Sequence, residues 1–87
     1  MEKKALLLSE KDNVATVISK LVEKGDVVNC NTKKVKVLED ILFGHKVALM
    51  DIKRGDYIIK YGEAVGEATK NIRMGEYVHT HNVENLI

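Results

Sequence analysis

One eight-residue pattern occurs three times in this chain of 87 residues and constrains its fold more than any other feature. It reads Asx-Ile-x-x-Gly-x-x-Val/Ile at residues 40–47, 51–58 and 71–78, and a weaker copy at 22–28 lacks the Asx. We expect the Asx side chain to cap one helical turn through its own downstream amides, the Ile to enter the core and the Gly to take positive φ. The glycines at 25, 44, 55 and 75 are unevenly spaced. A compact β fold that reuses one turn therefore fits better than a solenoid of fixed period.

The remaining patterns predict a mostly β fold with one short helix (α+β). Short apolar or alternating runs predict strands at 5–8, 34–37, 47–50, 57–59 and 77–82. Between residues 14 and 22, apolar side chains follow at i, i+3, i+4, i+7 and i+8, which is typical of one helix face. Asp12 is placed as the N-cap of this helix and Gly25 as its C-terminal stop.

Size and composition narrow the class of protein. Residues 1–87 are predicted to form a single domain, and the net charge of +1 would attract neither nucleic acid nor an anionic membrane. The lone Cys30 cannot form an internal disulfide, and the apolar run 5–8 is too short for a signal peptide or a membrane span, which indicates a cytoplasmic protein. A chain of this length buries only about 60–65% of its unfolded surface. We therefore expect a subunit, or a domain that completes its site against a partner.

The sharpest local signal for chemistry is His79-Thr80-His81. Residues two apart on a strand point to one face, so both imidazoles could bind one metal ion. The alternative, a surface pair that binds nothing, is the commoner outcome. If His45 came close to this pair, the three imidazoles would form a facial site with positions left open for substrate oxygens. The sequence alone does not establish that proximity.

Other features have simpler structural interpretations. Cys30 has no second cysteine or local histidine beside it and is predicted to be a buried or incidental thiol and not a nucleophile. The basic stretch 33–36 lacks interleaved aromatic residues, so we interpret it as a solvated strand edge. Gly62 and Gly66 are not followed by the Gly-Lys-Ser/Thr of a phosphate loop and are interpreted as part of a tight turn.

Several segments, taken in order and spacing, resemble a known family. They are DNVA at 12–15, GHKVAL at 44–49, DI at 51–52, YGE at 61–63, VG at 65–66 and HTHN at 79–82. Over about residues 12–82 the chain resembles the SAF-type N-terminal domain of altronate and galactarate (sugar-acid) dehydratases, and the separately encoded small subunits of that family. The resemblance implies a SAF domain with a β-clip-like fold.

The resemblance also implies a reaction and a site. Family members remove water from a polyhydroxy acid with a divalent metal, usually Fe²⁺ or Mn²⁺, and a related two-subunit branch eliminates sulfite from sulfolactate. By this resemblance His45, His79 and His81 would be the catalytic and metal-binding residues. Lys46 and Asn82 would contact substrate oxygens.

Three functional hypotheses follow. The leading one is a small subunit of a metal-dependent sugar-acid dehydratase, which contributes histidines to a shared β-elimination site and is inactive without a large catalytic subunit. The alternatives are a small subunit of a sulfolactate sulfo-lyase, and a non-catalytic SAF module for carbohydrate binding or docking. An antifreeze-like surface would need a flat apolar face, which the evenly spread charge argues against. Partners would be the large subunit and a sugar acid, and a homo-oligomer stays open.

Overall fold

Short strands account for all the regular secondary structure in the computed structural model, which describes residues 3–31 and 33–86. The strands are β1 Lys3–Leu6, β2 Val14–Val17, β3 Leu21–Val22, β4 Val27–Cys30, β5 Lys33–Lys36, β6 Ile41–Leu42, β7 Lys46–Ala48, β8 Tyr57–Lys60, β9 Glu63–Ala68, β10 Tyr77–Val78 and β11 Val83–Asn85. Within the described ranges no helix is present that could cross a membrane.

The strands form three sheets. A six-stranded sheet has the order β10-β7-β2-β1-β4-β5, a three-stranded sheet the order β11-β9-β8, and β3 pairs with β6. The β1–β4 pair is parallel, and the other strand pairs are antiparallel. Antiparallel pairing of sequence-distant strands such as β2 and β7 brings the two halves of the chain together.

The predicted helix is wrong, because residues 14–17 form β2 and residues 21–22 form β3, with no helix between them. Val14 and Val17 are buried, but Ile18 and Leu21, which a helix would have placed on the same face, are 44% and 36% exposed. β-branched side chains pack well on a pleated sheet and lose rotamer freedom in a helix. A run of nine residues is also too short to hold a helix without tertiary support. Pairing of β2 with both β1 and β7 therefore decides the conformation.

Asp12 consequently has a different role from the predicted helix cap. Its side chain is buried, and Oδ1 accepts a hydrogen bond of 2.8 Å from the N–H of Gly62. The neighbouring Asn13 donates from Nδ2 to the carbonyl of Tyr57 and accepts at Oδ1 from the N–H of Ile59, at 2.9 and 2.7 Å. These two side chains fasten the β8–β9 hairpin to the start of β2.

The other predicted strands are present with shifted ends, except at one place. Strands β1, β5, β7 and β8 overlap the predicted runs at 5–8, 34–37, 47–50 and 57–59. The predicted strand 77–82 stops after Val78, and residues 79–82 form a turn that leads into β11. In that turn the N–H of Asn82 donates to the carbonyl of His79 at 3.1 Å.

The repeated pattern builds four equivalent corners, at 22–28, 40–47, 51–58 and 71–78. Their glycines have φ of 94° at Gly25, 85° at Gly44, 92° at Gly55 and 92° at Gly75, as predicted. In every corner the glycine N–H donates to the carbonyl of a buried residue elsewhere in the chain, and the N–H of that buried residue donates back to the carbonyl of the residue after the glycine. The buried partners are Val37, Val17, Ala68 and Ala48, with N–O distances of 2.8–3.0 Å. Two backbone hydrogen bonds thus hold each corner against another segment: a residue of β2, β7 or β9 in three corners, and Val37, just after β5, in the fourth.

The prediction that each Asx residue caps its own turn is wrong, because each one caps a neighbouring corner. Asp51 Oδ1 accepts from the N–H of Met74, and Asn71 Oδ1 accepts from the N–H of Arg54, both at 2.9 Å. Asp40 Oδ1 accepts in the same way from Lys24, at 2.8 Å. The corners are therefore paired, 51–58 with 71–78 and 40–47 with 22–28.

Buried apolar side chains form two clusters. The first surrounds β1, β2, β4 and β5 and includes Cys30, which is fully buried as predicted. The second consists of Val14, Ala48, Ile52, Ile58, Ala68, Ile72 and Val78. The isoleucines of the repeat, Ile41, Ile52 and Ile72, are 1–2% exposed, which confirms their predicted place in the core. The second cluster lies under the ends of β7, β8 and β10, where the candidate site is found.

Candidate functional site

One of the four corners departs from a rule that the other three follow. At the position after the glycine, three corners have an acidic residue that caps its own turn. The carboxylates of Asp26, Asp56 and Glu76 accept hydrogen bonds from the N–H groups of Glu23, Lys53 and Arg73, at 2.9, 3.3 and 2.9 Å. In the corner 40–47 this position holds His45, whose Nδ1 lies 2.5 Å from the hydroxyl of Tyr77. A departure from an otherwise repeated local rule marks a position that serves something besides the fold.

His45 belongs to a cluster of four rings. Strands β7 and β10 are paired: Tyr77 lies opposite Val47, and Val78 lies opposite Lys46. This register brings His45, just before β7, close to His79, just after β10. The ring of His45 lies 4.9 Å from that of His79 and 5.4 Å from that of Tyr77, centroid to centroid. Tyr77 also stacks on His79 at 5.5 Å and contacts His81 at 5.2 Å. All three histidines singled out in the sequence therefore contact one tyrosine.

The hydrogen bond between His45 and Tyr77 couples the tautomer of the imidazole to the phenol. If Tyr77 donates to Nδ1, the proton of a neutral His45 is on Nε2. If His45 donates from Nδ1 to the phenol oxygen, the Nε2 lone pair is free. Only the second arrangement leaves a ring nitrogen that can bind a metal ion or accept a proton.

His79 is exposed, and its surroundings favour the neutral imidazole. Partial desolvation lowers its pKa below the ordinary histidine value, and the neighbouring positive charges of His45, Lys46 and His81 lower it further. A neutral ring keeps a nitrogen lone pair available.

The arrangement of His79 and His81 differs from the one predicted. These residues lie in a turn, so the argument that residues two apart on a strand share a face does not apply. Asn82, predicted to contact substrate, is 1% exposed. Its Oδ1 accepts from the N–H of His79 at 2.9 Å, and its Nδ2 donates to the carbonyl of Tyr77 at 2.8 Å. The Asn82 amide thus holds the turn that presents both histidines.

The histidine cluster contains too few neighbouring donor side chains to form a metal site by itself. Among residues 3–31 and 33–86, no group of three or more His, Cys, Asp or Glu side chains is placed to hold a metal ion. His45 and His79 are neighbours, whereas the ring contact of His81 is with Tyr77. Two adjacent imidazoles fit two positions around a divalent ion such as Fe²⁺ or Mn²⁺. Further ligands would have to come from a partner or from substrate.

A pocket of about 270 Å³ opens beside His79. Lys46 and Lys60 line it together with His79, and Ile58, Val65 and Val83 supply apolar walls. Burial lowers the pKa of Lys46, and repulsion from Lys60 lowers it further. Lys46, the other predicted substrate contact, therefore lies in a pocket next to the histidines, whereas the side chain of Asn82 is used within its own turn.

Sequence reasoning missed Lys60 and Tyr77. Tyr77 had a usable signal, since it stands two residues before His79 and two after a corner glycine. Lys60 had none, because it reaches the pocket only through the attachment of β8 to β2 by Asn13. The departure of His45 from the acidic residues in the other three corners was also visible in the aligned repeat.

The chain is similar to known proteins over nearly all its length. Residues 3–86 match the family model described as the altronate/galactarate dehydratase SAF domain. The chain is 35% identical over 82 residues to the altronate dehydratase of Bacillus subtilis (strain 168), and 42% identical over 71 residues to that of Escherichia coli (strain K12). These matches cover 94% and 82% of this chain but only 16% and 14% of the two relatives.

A third relative is matched over most of its own length. The chain is 34% identical over 79 residues to the (2R)-sulfolactate sulfo-lyase subunit alpha of Chromohalobacter salexigens, and the match covers 84% of both chains. This chain therefore corresponds to a small part of the altronate dehydratases and to most of a relative that is named as a subunit.

Proposed function

The chain belongs to the altronate/galactarate dehydratase SAF domain family, as its resemblance indicated, and we propose that it is the small subunit of a sugar-acid dehydratase. The observation that carries the proposal is the coverage of the relatives. A domain like this one makes up 16% and 14% of two altronate dehydratases, whereas it matches 84% of a protein named as subunit alpha. A separate large subunit would supply what the longer relatives contain beyond the matched region.

The reaction we propose is a β-elimination next to a carboxylate. A base takes the proton from the carbon that bears the carboxylate, and the hydroxyl on the following carbon leaves as water, which requires a proton donor. The residues of this chain that support the proposal lie together. His45 and His79 are adjacent imidazoles, Tyr77 holds His45 through its hydroxyl, and Lys46 brings a positive charge into the neighbouring pocket.

We propose that the same imidazoles face the large subunit and share its metal. Fe²⁺ or Mn²⁺, when bound, would supply positive charge at the substrate oxygens. His45 and His79 would each provide one ligand, and His81 stays a candidate through its contact with Tyr77. A carboxylate side chain of the partner would complete the donor set.

Sulfite elimination from sulfolactate is the second candidate reaction. The specific observation in its favour is that the relative covered over most of its length is a sulfolactate sulfo-lyase subunit alpha. Both candidates remove a group from the carbon next to the one that loses its proton, so they differ in the leaving group and share the need for a base and a cationic site.

The proposal is tested on the assembled enzyme. The tagged chain is expressed in its own host, and the co-purifying proteins are identified. Size-exclusion chromatography with light scattering then gives the molar mass of the assembly and the stoichiometry of its components. The purified assembly is then assayed with D-altronate, galactarate and (2R)-sulfolactate, following 2-keto acid formation and sulfite release separately. We expect a stoichiometric large partner and 2-keto-3-deoxy acid from one of the two sugar acids.

The opposing outcomes are distinct. Turnover by the 87-residue chain alone would overturn the shared site. A chain that purifies without any stoichiometric large partner would overturn the small-subunit assignment and favour the binding-module alternative. Sulfite release with no sugar-acid turnover would select the second candidate. His45→Asn and His79→Asn should each lower kcat of the assembly at least about 100-fold, while the exposed Lys34→Gln serves as the matched control.

A further inference from the structure

The pocket beside His79 carries positive charge without an internal counter-charge. Its lining contains the ammonium groups of Lys46 and Lys60 and the imidazole of His79, and no carboxylate. In the described part of the chain the only salt bridge joins Arg73 to Glu76, at another corner. Glu63 pairs with Lys60 across β8 and β9 in the backbone register, yet it forms no salt bridge with it. Two lysines that line one pocket in which no acidic residue is present favour an anion from outside the chain.

The walls of the pocket strengthen that preference. The fully buried Ile58 lines the pocket together with Val65 and Val83. Apolar walls lower the local dielectric, so an ion pair formed there is worth more than one on an open surface. Lys60 also lies over the ring of Tyr61, with Nζ 4.9 Å from the centroid, which restricts its side chain without consuming its N–H donors. Thr80 and Asn85 at the rim offer neutral groups to hydroxyls.

The position of the pocket relates it to the histidines. Lys46 pairs with Val78 across β7 and β10, one residue before His79, and both Lys46 and His79 line the pocket. A volume of about 270 Å³ admits a small organic acid and excludes a polymer. An anion held by the lysines would therefore lie in the same pocket as the imidazole of His79.

We propose that this pocket binds a carboxylate of the polyhydroxy acid, with Lys46 and Lys60 as its counter-charges and Thr80 and Asn85 beside its hydroxyls. The inference rests on the proposed function for the identity of the acid, and it assigns to Lys60 a role in substrate recognition. It also places the whole carboxylate subsite on this chain, so the chain should recognise the acid before any partner is present.

The test is an NMR titration of the ¹⁵N-labelled chain, free of metal, with galactarate. Galactitol is the matched ligand, because it keeps the hydroxyl pattern and replaces both carboxylates with CH₂OH. Sulfate is the inorganic control. We expect saturable shifts of the Val65, Val83 and Thr80 amides with galactarate and none with galactitol. Lys60→Met, which keeps an apolar stem, should weaken binding at least about tenfold, and the exposed corner variant Lys53→Met should leave it unchanged.

Four results would overturn the inference. They are no shift at the pocket amides with galactarate, equal shifts with galactitol, binding of sulfate as tight as that of galactarate, and unchanged affinity in Lys60→Met. Failure here is separable from failure of the proposed function. If the assembled enzyme turns over a sugar acid and its KM is unchanged in Lys60→Met, the proposed carboxylate subsite fails but the proposed function stands. Galactarate binding by a chain that recruits no large subunit would reject only the proposed function.

Discussion

Asp51 and Asn71 each accept a hydrogen bond from the corner that the other one begins, Asp51 from Met74 and Asn71 from Arg54, both at 2.9 Å. Between them, Ile52 and Ile72 form a two-bond antiparallel bridge, with N–O distances of 2.8 and 2.7 Å. The two corners are thus related by an approximate two-fold arrangement. Each Asx side chain stabilises a segment about twenty residues away in the sequence.

The reciprocal caps make a stability prediction. Asp51→Ala and Asn71→Ala should each lower the free energy of unfolding by about 1 kcal/mol, since each leaves one exposed N–H without its side-chain acceptor. Urea denaturation followed by circular dichroism measures both, with Lys70→Ala, at an exposed neighbouring position, as the control. Losses below about 0.3 kcal/mol in both variants would mean that water replaces the caps without cost.

The glycines of paired corners are predicted to differ in tolerance. Gly55 and Gly75 share a φ of 92°, so alanine is strained at both by about 1–2 kcal/mol. An added Cβ at Gly55 meets nothing within 4 Å, but at Gly75 it would lie 2.2 Å from the carbonyl oxygen of Lys36. Gly75→Ala should therefore be destabilising by about 1–3 kcal/mol more than Gly55→Ala. Equal urea midpoints for the two variants would contradict this.

The absence of an acidic residue at position 45 leads us to expect that His45→Asp stabilises the fold and lowers activity. His45→Asp restores the acidic residue that caps the other three corners, and we expect it to raise the free energy of unfolding by about 0.5–1 kcal/mol over His45→Ala. The same variant removes the imidazole, so the assembled enzyme should lose activity. Thermal unfolding and turnover are measured on both variants. An Asp variant no more stable than the Ala variant would show that this corner cannot use the cap.

The environment of His79 predicts a pH effect with a definite sign. Its pKa in the folded chain lies below the unfolded value of about 6.5, so the unfolded chain binds more protons over that interval. The folded state keeps its full stability above pH 6.5 and loses part of it as the pH falls below that value. Histidine ring shifts of the metal-free chain, followed by NMR against pH, give the folded pKa, and a peptide of residues 76–84 gives the reference.

The same titration has a matched variant. Lys46→Met removes one of the positive charges that act on His79, so the pKa of His79 should move up toward the peptide value. A His79 that titrates together with the peptide in the unmodified chain would contradict the geometry of the ring cluster.

Cys30 is predicted to be chemically silent in the folded chain. Burial raises the pKa of its thiol, and the opposite effect of Lys33 is smaller. Because the thiolate is the reactive form and the side chain is fully buried, an aromatic disulfide reagent should react at least about 100-fold more slowly with the native chain than in 6 M urea. Rapid reaction without denaturant would show that β4 opens locally.

The parts of the fold that could be predicted are those fixed by one residue acting locally. The glycines at 25, 44, 55 and 75 and the buried isoleucines at 41, 52 and 72 follow from backbone strain and burial at single positions. Residues 14–22 could not be assigned in this way, because their apolar spacing fits a helix face while their β-branched content fits a strand. Pairing with β1 and β7, which are distant in the sequence, decides between the two.

Some residues of the candidate site could likewise be predicted from the sequence, whereas others depend on tertiary contacts. His45, His79, His81 and Lys46 could be named from the resemblance. The position of Tyr77 between Gly75 and His79 draws attention to it, but it does not show that the Tyr77 ring contacts all three imidazoles. Lys60 enters the pocket because Asn13 fastens β8 to the start of β2, a contact that spans 44 residues of sequence. The Asx caps were assigned to the wrong corner for a related reason, since a side chain can cap a turn brought to it by tertiary pairing as readily as its own.

The four corners provide equivalent positions at which a new functional side chain could be introduced. Asp26, Asp56 and Glu76 occupy the same slot that His45 occupies, on backbones of nearly identical shape. Exchanging Asp26 or Asp56 for another side chain gives up one capping hydrogen bond, about 1 kcal/mol, whereas exchanging Glu76 also gives up its salt bridge with Arg73. None of the three side chains belongs to either apolar cluster. A functional side chain could thus be introduced by substitution at Asp26, Asp56 or Glu76 without a change in the packing of the core.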